Sequence, residues 1–199
     1  MPEYLNDVLS PVYSVILSRR SIRRFKQKLI DISILKKLVN AARVAPSAAN
    51  LQPLEYFIVD NKELCSKVFE TLSWAGYIKP KWIPEESERP VAYIIILVRE
   101  GISKYSQWDV GLSAENIMLL AESENIGSCM ILKIERDKLR DILKIPKSLR
   151  IDSVIALGYK SETSVIEDMK DSIKYWRDKK GVLHVPKRNI ENILHINQF

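Results

Sequence analysis

The chain has 199 residues, 46% of them apolar and 28% charged, with a formal charge of +6. That length suits one domain spanning residues 1–199 with a full hydrophobic core, and the balance argues against a disordered or membrane chain. The longest apolar run, Val91 to Val98, is too short to cross a bilayer, and Glu3 and Asp7 stand where a signal peptide carries basic charge, so a cytoplasmic protein with no membrane partner is expected.

Ser10-Pro11 is a helix start, with a side-chain acceptor at the cap and proline where its missing N–H costs nothing. Val12, Val15 and Ile16 form an apolar stripe, and the helix delivers the cluster Arg19-Arg20-Ser21-Ile22-Arg23-Arg24 at its C-terminal end. A second helix is predicted from Ile32 to Arg43, carried by Ile34, Leu35, Leu38, Ala41 and Ala42 and closed by Pro46. After the loop Ser47 to Pro53, the aromatic and β-branched run Glu55 to Asp60 reads as a strand. Residues 62–90 hold a helix around Leu64 to Leu72, then an irregular stretch with Trp74, Tyr77 and Trp82 that either lines a pocket or packs in the core. Val91 to Val98 is a strand buried on both faces.

Asp109 is read as the cap of a long, central, buried helix from Val110 to Glu124, ended by Asn125-Ile126-Gly127. Cys129 to Ile134 is the next strand, Arg136 to Leu143 a short helix stopped by Pro146, and Ser153 to Tyr159 a further strand. The polar tail is expected to finish in a helix carrying Ile190, Ile193 and Leu194. This alternation implies helices layered on a sheet, with no internal repeat and no dividing linker.

Several chemistries find no support in the spacing. Cys65 and Cys129 form no CxxC pair and read as small core residues. His184 and His195 lie in the tail with no acidic partner at a telling spacing, and no metal-ligand pattern is present. No GxGxxG marks a dinucleotide site. Acidic residues interleave with the basic ones, so no nucleic-acid partner is expected despite the positive charge.

Two segments can carry chemistry. Arg19, Arg20 and Arg23 with the Ser21 hydroxyl offer forked donors able to grip a phosphate from more than one direction; the alternative is a solvated basic helix end. The loop Pro46-Ser47-Ala48-Ala49-Asn50-Leu51-Gln52-Pro53 combines small residues, which let backbone approach a flat ligand, with amides that both donate and accept; the alternative is an ordinary turn.

Taken together these segments resemble the nitroreductase family. The resemblance runs from Arg19-Arg20-Ser21-x-Arg23 and Phe25 through Ala42-Arg43-x-Ala45-Pro46-Ser47-x-x-Asn50-x-Gln52-Pro53. It continues through Glu115-Asn116-Ile117-Met118-Leu119, Ile126-Gly127-Ser128-Cys129 and Ala156-Leu157-Gly158-Tyr159 to Pro186-Lys187-Arg188. It implies an α+β, nitroreductase-like fold: a central, mostly antiparallel sheet flanked by helices, with the C-terminal segment exchanged between the subunits of a homodimer. It implies non-covalent FMN at the subunit interface. Arg19, Arg20, Ser21 and Arg23 would then hold the phosphate and ribityl end and the pyrimidine edge. Pro46, Ser47 and Asn50 would approach the ring, Ser47 and Asn50 from the partner subunit. Lys187 and Arg188 would add phosphate contacts, with a solvated tail as the alternative.

The resemblance also places backbone N–H groups from about Met130, Ile131, Leu132 and Lys133 at the flavin N5 edge, where they tune the ring. The sequence departs from many relatives there, carrying Leu132 and Lys133 in place of glycine. The implied activity is ping-pong transfer of hydride from NAD(P)H, a transient co-substrate, through the flavin to a flat conjugated acceptor such as a nitroaromatic or quinone. The same fold with different flavin chemistry, reductive dehalogenation or substrate dehydrogenation, is the alternative enzyme. A non-enzymatic FMN-binding or sensor protein is the remaining reading.

Overall fold

A computed structural model describes residues 10–78 and 82–198; Glu3, Asp7 and the middle of the Trp74 to Pro90 segment lie outside the described residues. Helix α1 (Pro11–Ser18) starts as expected, with Ser10 Oγ accepting from Tyr13 N–H at 3.2 Å. Its stripe finds no core within the single chain, since Val12 and Ile16 stand exposed. Helix α2 (Ile32–Arg43) is capped by Asp31, whose carboxylate accepts from Ser33 N–H at 2.7 Å, and buries Leu35, Leu38 and Ala42. It closes at Val44, two residues before Pro46.

The sheet is built on β5 (Leu149–Lys160), longer at both ends than the expected Ser153–Tyr159. One edge of β5 pairs with β3 (Ala92–Arg99) and, further along, with β1 (Phe25–Lys26); the other pairs with β4 (Ile126–Ile131), and β2 (Leu54–Val59) lies outside β3. All four pairings are antiparallel. Strand alternation sends Tyr93, Ile95 and Leu97 into one core and Ala92, Ile94, Ile96 and Val98 into another. Helices α3 (Lys62–Phe69) and α5 (Arg136–Leu143) cover the first core; α2 and α4 (Ser106–Ser123) cover the second. This is why β3 reads as a continuous apolar run.

Three expectations are corrected. Helix α4 begins at Ser106, so Asp109 lies inside its first turn and is buried rather than capping it. Strand β4 begins at Ile126 and ends at Ile131: Asn125, with φ 59°, makes the turn alone, and Gly127 is a strand residue. The tail forms a second, three-stranded sheet ordered β6 (Ser164–Asp168), β8 (Leu183–Lys187), β7 (Trp176–Arg177), followed only by a 3₁₀ turn at Ile190–Asn192 where a helix was expected. Ile190, Ile193 and Leu194 stand exposed, so no packing surface in the single chain holds a longer helix there.

Candidate active site

Two glycines let the arginine segment lie flat on the sheet. A methyl at Gly127 would come within 2.9 Å of Ile22 Cβ, and one at Gly158 within 2.8 Å of Phe25 Cβ. Residues 20–25 therefore run directly over the β4–β5 end, with Ile22 N–H donating to Ser128 C=O at 2.9 Å and Ser21 bridged to Ser128.

Arg19, Arg20 and Arg23 then take different roles. Arg19 reaches α4, its Nε 3.4 Å from Glu115 Oε1. Arg20 folds back to donate to the carbonyls of Arg19 and Leu17, satisfying the open end of α1; burial, and then the neighbouring Arg19 charge, lowers its pKa against an opposing pull from Glu122. Arg23 lays its guanidinium over the Tyr175 ring, 4.8 Å from the centroid. The segment is pinned by Glu162, just past β5, whose side chain is only 1% exposed. Its carboxylate accepts from Arg23 N–H, from Arg24 N–H at 3.2 Å and from Arg177 at 2.7 Å.

The 46–53 loop is held by the buried Asp109. One carboxylate oxygen accepts from Ser47 Oγ and the other from Ala48 N–H, both at 3.2 Å, and Ser47 Oγ accepts in turn from Gln52 N–H at 3.0 Å. Ala49, Asn50 and Gln52 sit at φ near 50°, a region that suits asparagine but strains the other two, so the carboxylate holds the loop against local preference. Pro46 and Ser47 line a cavity of about 160 Å³ with Tyr56, Asp109 and Ser113. Burial pushes the Tyr56 hydroxyl pKa up there, aided by Asp109 and opposed by a hydrogen bond from Ser113.

Met130, Ile131, Leu132 and Lys133 share a second cavity, of about 180 Å³, with Arg23, Trp74, Cys129 and Tyr175. The β5 ladder stops at Ile131, leaving Leu132 and Lys133 exposed beyond the strand. Residues 71–73 run alongside, Ser73 N–H donating to Lys133 C=O at 3.0 Å and Glu135 N–H to Thr71 C=O at 2.8 Å, which delivers Trp74 to the cavity. Trp74 Nε1 is buried there with no hydrogen-bond partner. Burial raises the Cys129 thiol pKa, with Arg23 opposing.

Arg23 and the β4 end are therefore brought together, with Ser21 beside them on Ser128, while the 46–53 loop and the tail residues do not line this cavity in the single chain. Asp109 and Glu115 anchor the loop and Arg19 to α4 at points about 9 Å apart along the helix and about 120° apart around it. Lys187 ends β8, its carbonyl accepting from Met169 N–H at 2.7 Å, and Arg188 donates to Asn192 C=O at 2.7 Å.

Glu162, Tyr175 and the loop-anchoring role of Asp109 escaped the sequence reading. Each residue is polar in a stretch whose spacing gives no motif, and burial alone marks Asp109 and Glu162. Of the middle aromatics, Trp74 lines the cavity, Tyr77 packs its ring 5.2 Å from Tyr175, and Trp82 lies under Arg24 and Arg177. His184 finds acidic partners that its sequence spacing does not show: it lies 3.0 Å from Glu167 and 3.4 Å from Asp178, stacked on Trp176, all brought together by the tail sheet. Among the described residues no group of three or more His, Cys, Asp or Glu is placed for a metal, and no helix is long and apolar enough to cross a membrane.

Comparison with known proteins shows what the chain is similar to. The Nitroreductase family profile matches residues 16–159. A protein of Archaeoglobus fulgidus named for NADH dehydrogenase/NAD(P)H nitroreductase activity is 32% identical over 153 residues, covering 73% of this chain and 83% of its own. An iodotyrosine deiodinase of Thermotoga neapolitana is 24% identical, covering 74% of this chain and 88% of its own. Among solved structures, a nitroreductase-type protein of Desulfovibrio desulfuricans in complex with FMN superposes with a TM-score of 0.70 at 18% identity, over 96% of this chain and 99% of that one.

Proposed function

Since the chain belongs to the nitroreductase family, we propose that it is an FMN-dependent oxidoreductase that works as a homodimer and passes hydride from NAD(P)H to a flat conjugated acceptor. The observation that carries this reading is the Arg23 cavity. It is lined by Arg23, by the exposed chain beyond the β4 ladder and by Trp74, whose buried indole N–H has no hydrogen-bond partner. Such a donor set fits a planar heteroaromatic ring rich in carbonyls and ring nitrogens. Arg19 and Ser21, next along the same segment, suit the anionic end of the same ligand. Arg20, committed to the α1 carbonyls, is a supporting residue.

When bound, FMN supplies the hydride chemistry, so the protein needs no nucleophile or base of its own. The chain's residues bind, orient and tune. Arg23 keeps positive charge beside the ring site while Glu162, bonded to its backbone N–H, fixes its position. Tyr175 and Trp74 wall the cavity and limit water. Ser47 and Asn50 of a second copy complete the site in this account, because the loop and the Arg19 end sit on different sides of α4 within one copy. The exposed apolar surface of Val12, Ile16, Trp108 and Leu112 supports such pairing, as do Ile193 and Ile196 for exchange of the tail that carries Lys187 and Arg188.

The test is anaerobic addition of NADH or NADPH to the purified protein, followed by an acceptor. Bleaching of bound flavin absorbance and its return with a nitroaromatic or quinone are expected. Bound FMN that neither nicotinamide reduces would refute the enzyme reading and leave a flavin-binding protein. The similarity to a deiodinase motivates one second reading, reductive dehalogenation. Halide release from iodotyrosine by the dithionite-reduced protein, exceeding its turnover of nitroaromatics, would favour that reading over the first.

A further inference from the structure

A cavity of about 490 Å³ lies where α3 meets the segments 27–29 and 86–91, and its lining shares no residue with the Arg23 cavity. Its volume falls within the range of small-molecule sites. Arg89 dominates its chemistry. The guanidinium lies on the face of Phe69, 4.2 Å from the ring centroid, and its Nε is buried without a hydrogen-bond partner. The Arg89 carbonyl is fixed separately, accepting from Gln27 Nε2 at 2.9 Å. Lys62, which enters the lining from the first turn of α3, adds a second cation; Glu86 is the only acid on the lining. Two other groups border this region. Cys65 lines the cavity with its thiol pKa pushed up to about 12 by burial. Tyr93, fully buried, has an unpartnered hydroxyl that feels both Cys65 and Arg89.

We propose that this cavity is a second binding site, for a small organic anion whose carboxylate pairs with Arg89 and whose short apolar body lies along Phe69, Leu29 and Pro90. A guanidinium is planar, so its edge donors lie in one plane. A planar carboxylate matches that fork with two parallel hydrogen bonds. Two cations against one carboxylate leave the lining net positive, which favours an anion over a neutral or cationic ligand. The hydrocarbon walls select an aryl or short alkyl carboxylate over a bare anion. Phe69 also stacks on Trp74, at 5.4 Å between centroids, so the two cavities share a wall of two rings.

Calorimetric titration of the FMN-loaded protein with benzoate, benzamide and acetate tests the site, with the visible flavin spectrum recorded throughout. Benzoate is expected to bind without perturbing the flavin bands, at least about tenfold more tightly than either benzamide or acetate. Arg89→Gln should weaken benzoate by about tenfold or more, and Lys62→Gln, at the rim, by a smaller factor in a chain whose buried packing is untouched. Absence of benzoate binding at millimolar concentration would overturn the proposal. So would equal affinity for benzamide or acetate, or benzoate binding that shifts the flavin bands and survives both substitutions. None of these results bears on whether the protein reduces acceptors through FMN, so the two readings fail separately.

Discussion

Glu162→Ala should damage stability and the arginine segment together. The carboxylate is 1% exposed and faces Arg177, whose side chain is 15% exposed. Removing one member of a buried pair costs about 3–5 kcal/mol, because the other charge is left without its partner. Two backbone N–H groups, of Arg23 and Arg24, also lose their acceptor, but water entering the space left by the side chain relieves them, so about 3 kcal/mol is expected. In a chain of this size that lowers the melting temperature by roughly 6–12 °C. Glu162→Gln keeps the volume and one acceptor oxygen, and should lose about 1–2 kcal/mol. Urea unfolding at fixed protein concentration and saturating FMN is the assay, because ligand binding and pairing of copies both shift apparent stability. A double-mutant cycle with Arg177→Ala should show coupling of about 1–3 kcal/mol. Glu162→Ala within about 0.5 kcal/mol of wild type, or strict additivity in the cycle, would refute the view that this carboxylate pins the segment.

Three further outcomes are expected. Gly158→Ala places a methyl 2.8 Å from Phe25 Cβ and should cost about 1–3 kcal/mol in the same unfolding assay; a neutral result would mean the segment over the sheet yields easily. Arg19→Ala and Asn50→Ala should each release FMN during gel filtration that wild type survives, and retention in both would count against the placement of the cofactor. Cys65 and Cys129 should resist iodoacetamide at pH 8 by at least about a hundredfold relative to the unfolded chain, since burial raises both thiol pKa values. For Cys65 the folded value, about 12, exceeds the ordinary 9.0, so its contribution to stability is complete below pH 9 and is lost as pH rises from there towards 12. Labelling of the native protein at the unfolded rate, or stability that rises across that window, would contradict the assignment.

The elements that sequence describes well are those whose signals are local. Helix α2 was legible because Leu35, Leu38 and Ala42 repeat at helical spacing; β3 was legible because both its faces are buried. The misplacements share one cause, residues whose role is set by distant partners. Asp109 looks like a cap but bonds a loop 61 residues earlier in the chain. Gly127 looks like a turn but is small because Ile22 passes over it. Strands β6 and β7 carry no apolar alternation and exist because β8 supplies their hydrogen bonds. The candidate site divides in the same way. Its arginines and its Ser-Asn loop stand out as donor-rich runs. The groups that fix them, Glu162 and Asp109, are single acids with no pattern around them. Residues beyond 187 belong with neither, since their exposed apolar side chains have their partners, in this account, on a second copy.

The central claim, a flavin site completed by two copies of the chain, is tested most directly by light scattering coupled to gel filtration with full visible spectra across the peak. The account predicts a particle of twice the 23.0 kDa chain mass carrying close to two FMN per particle. A colourless monomer that takes up no FMN at micromolar concentration would contradict it.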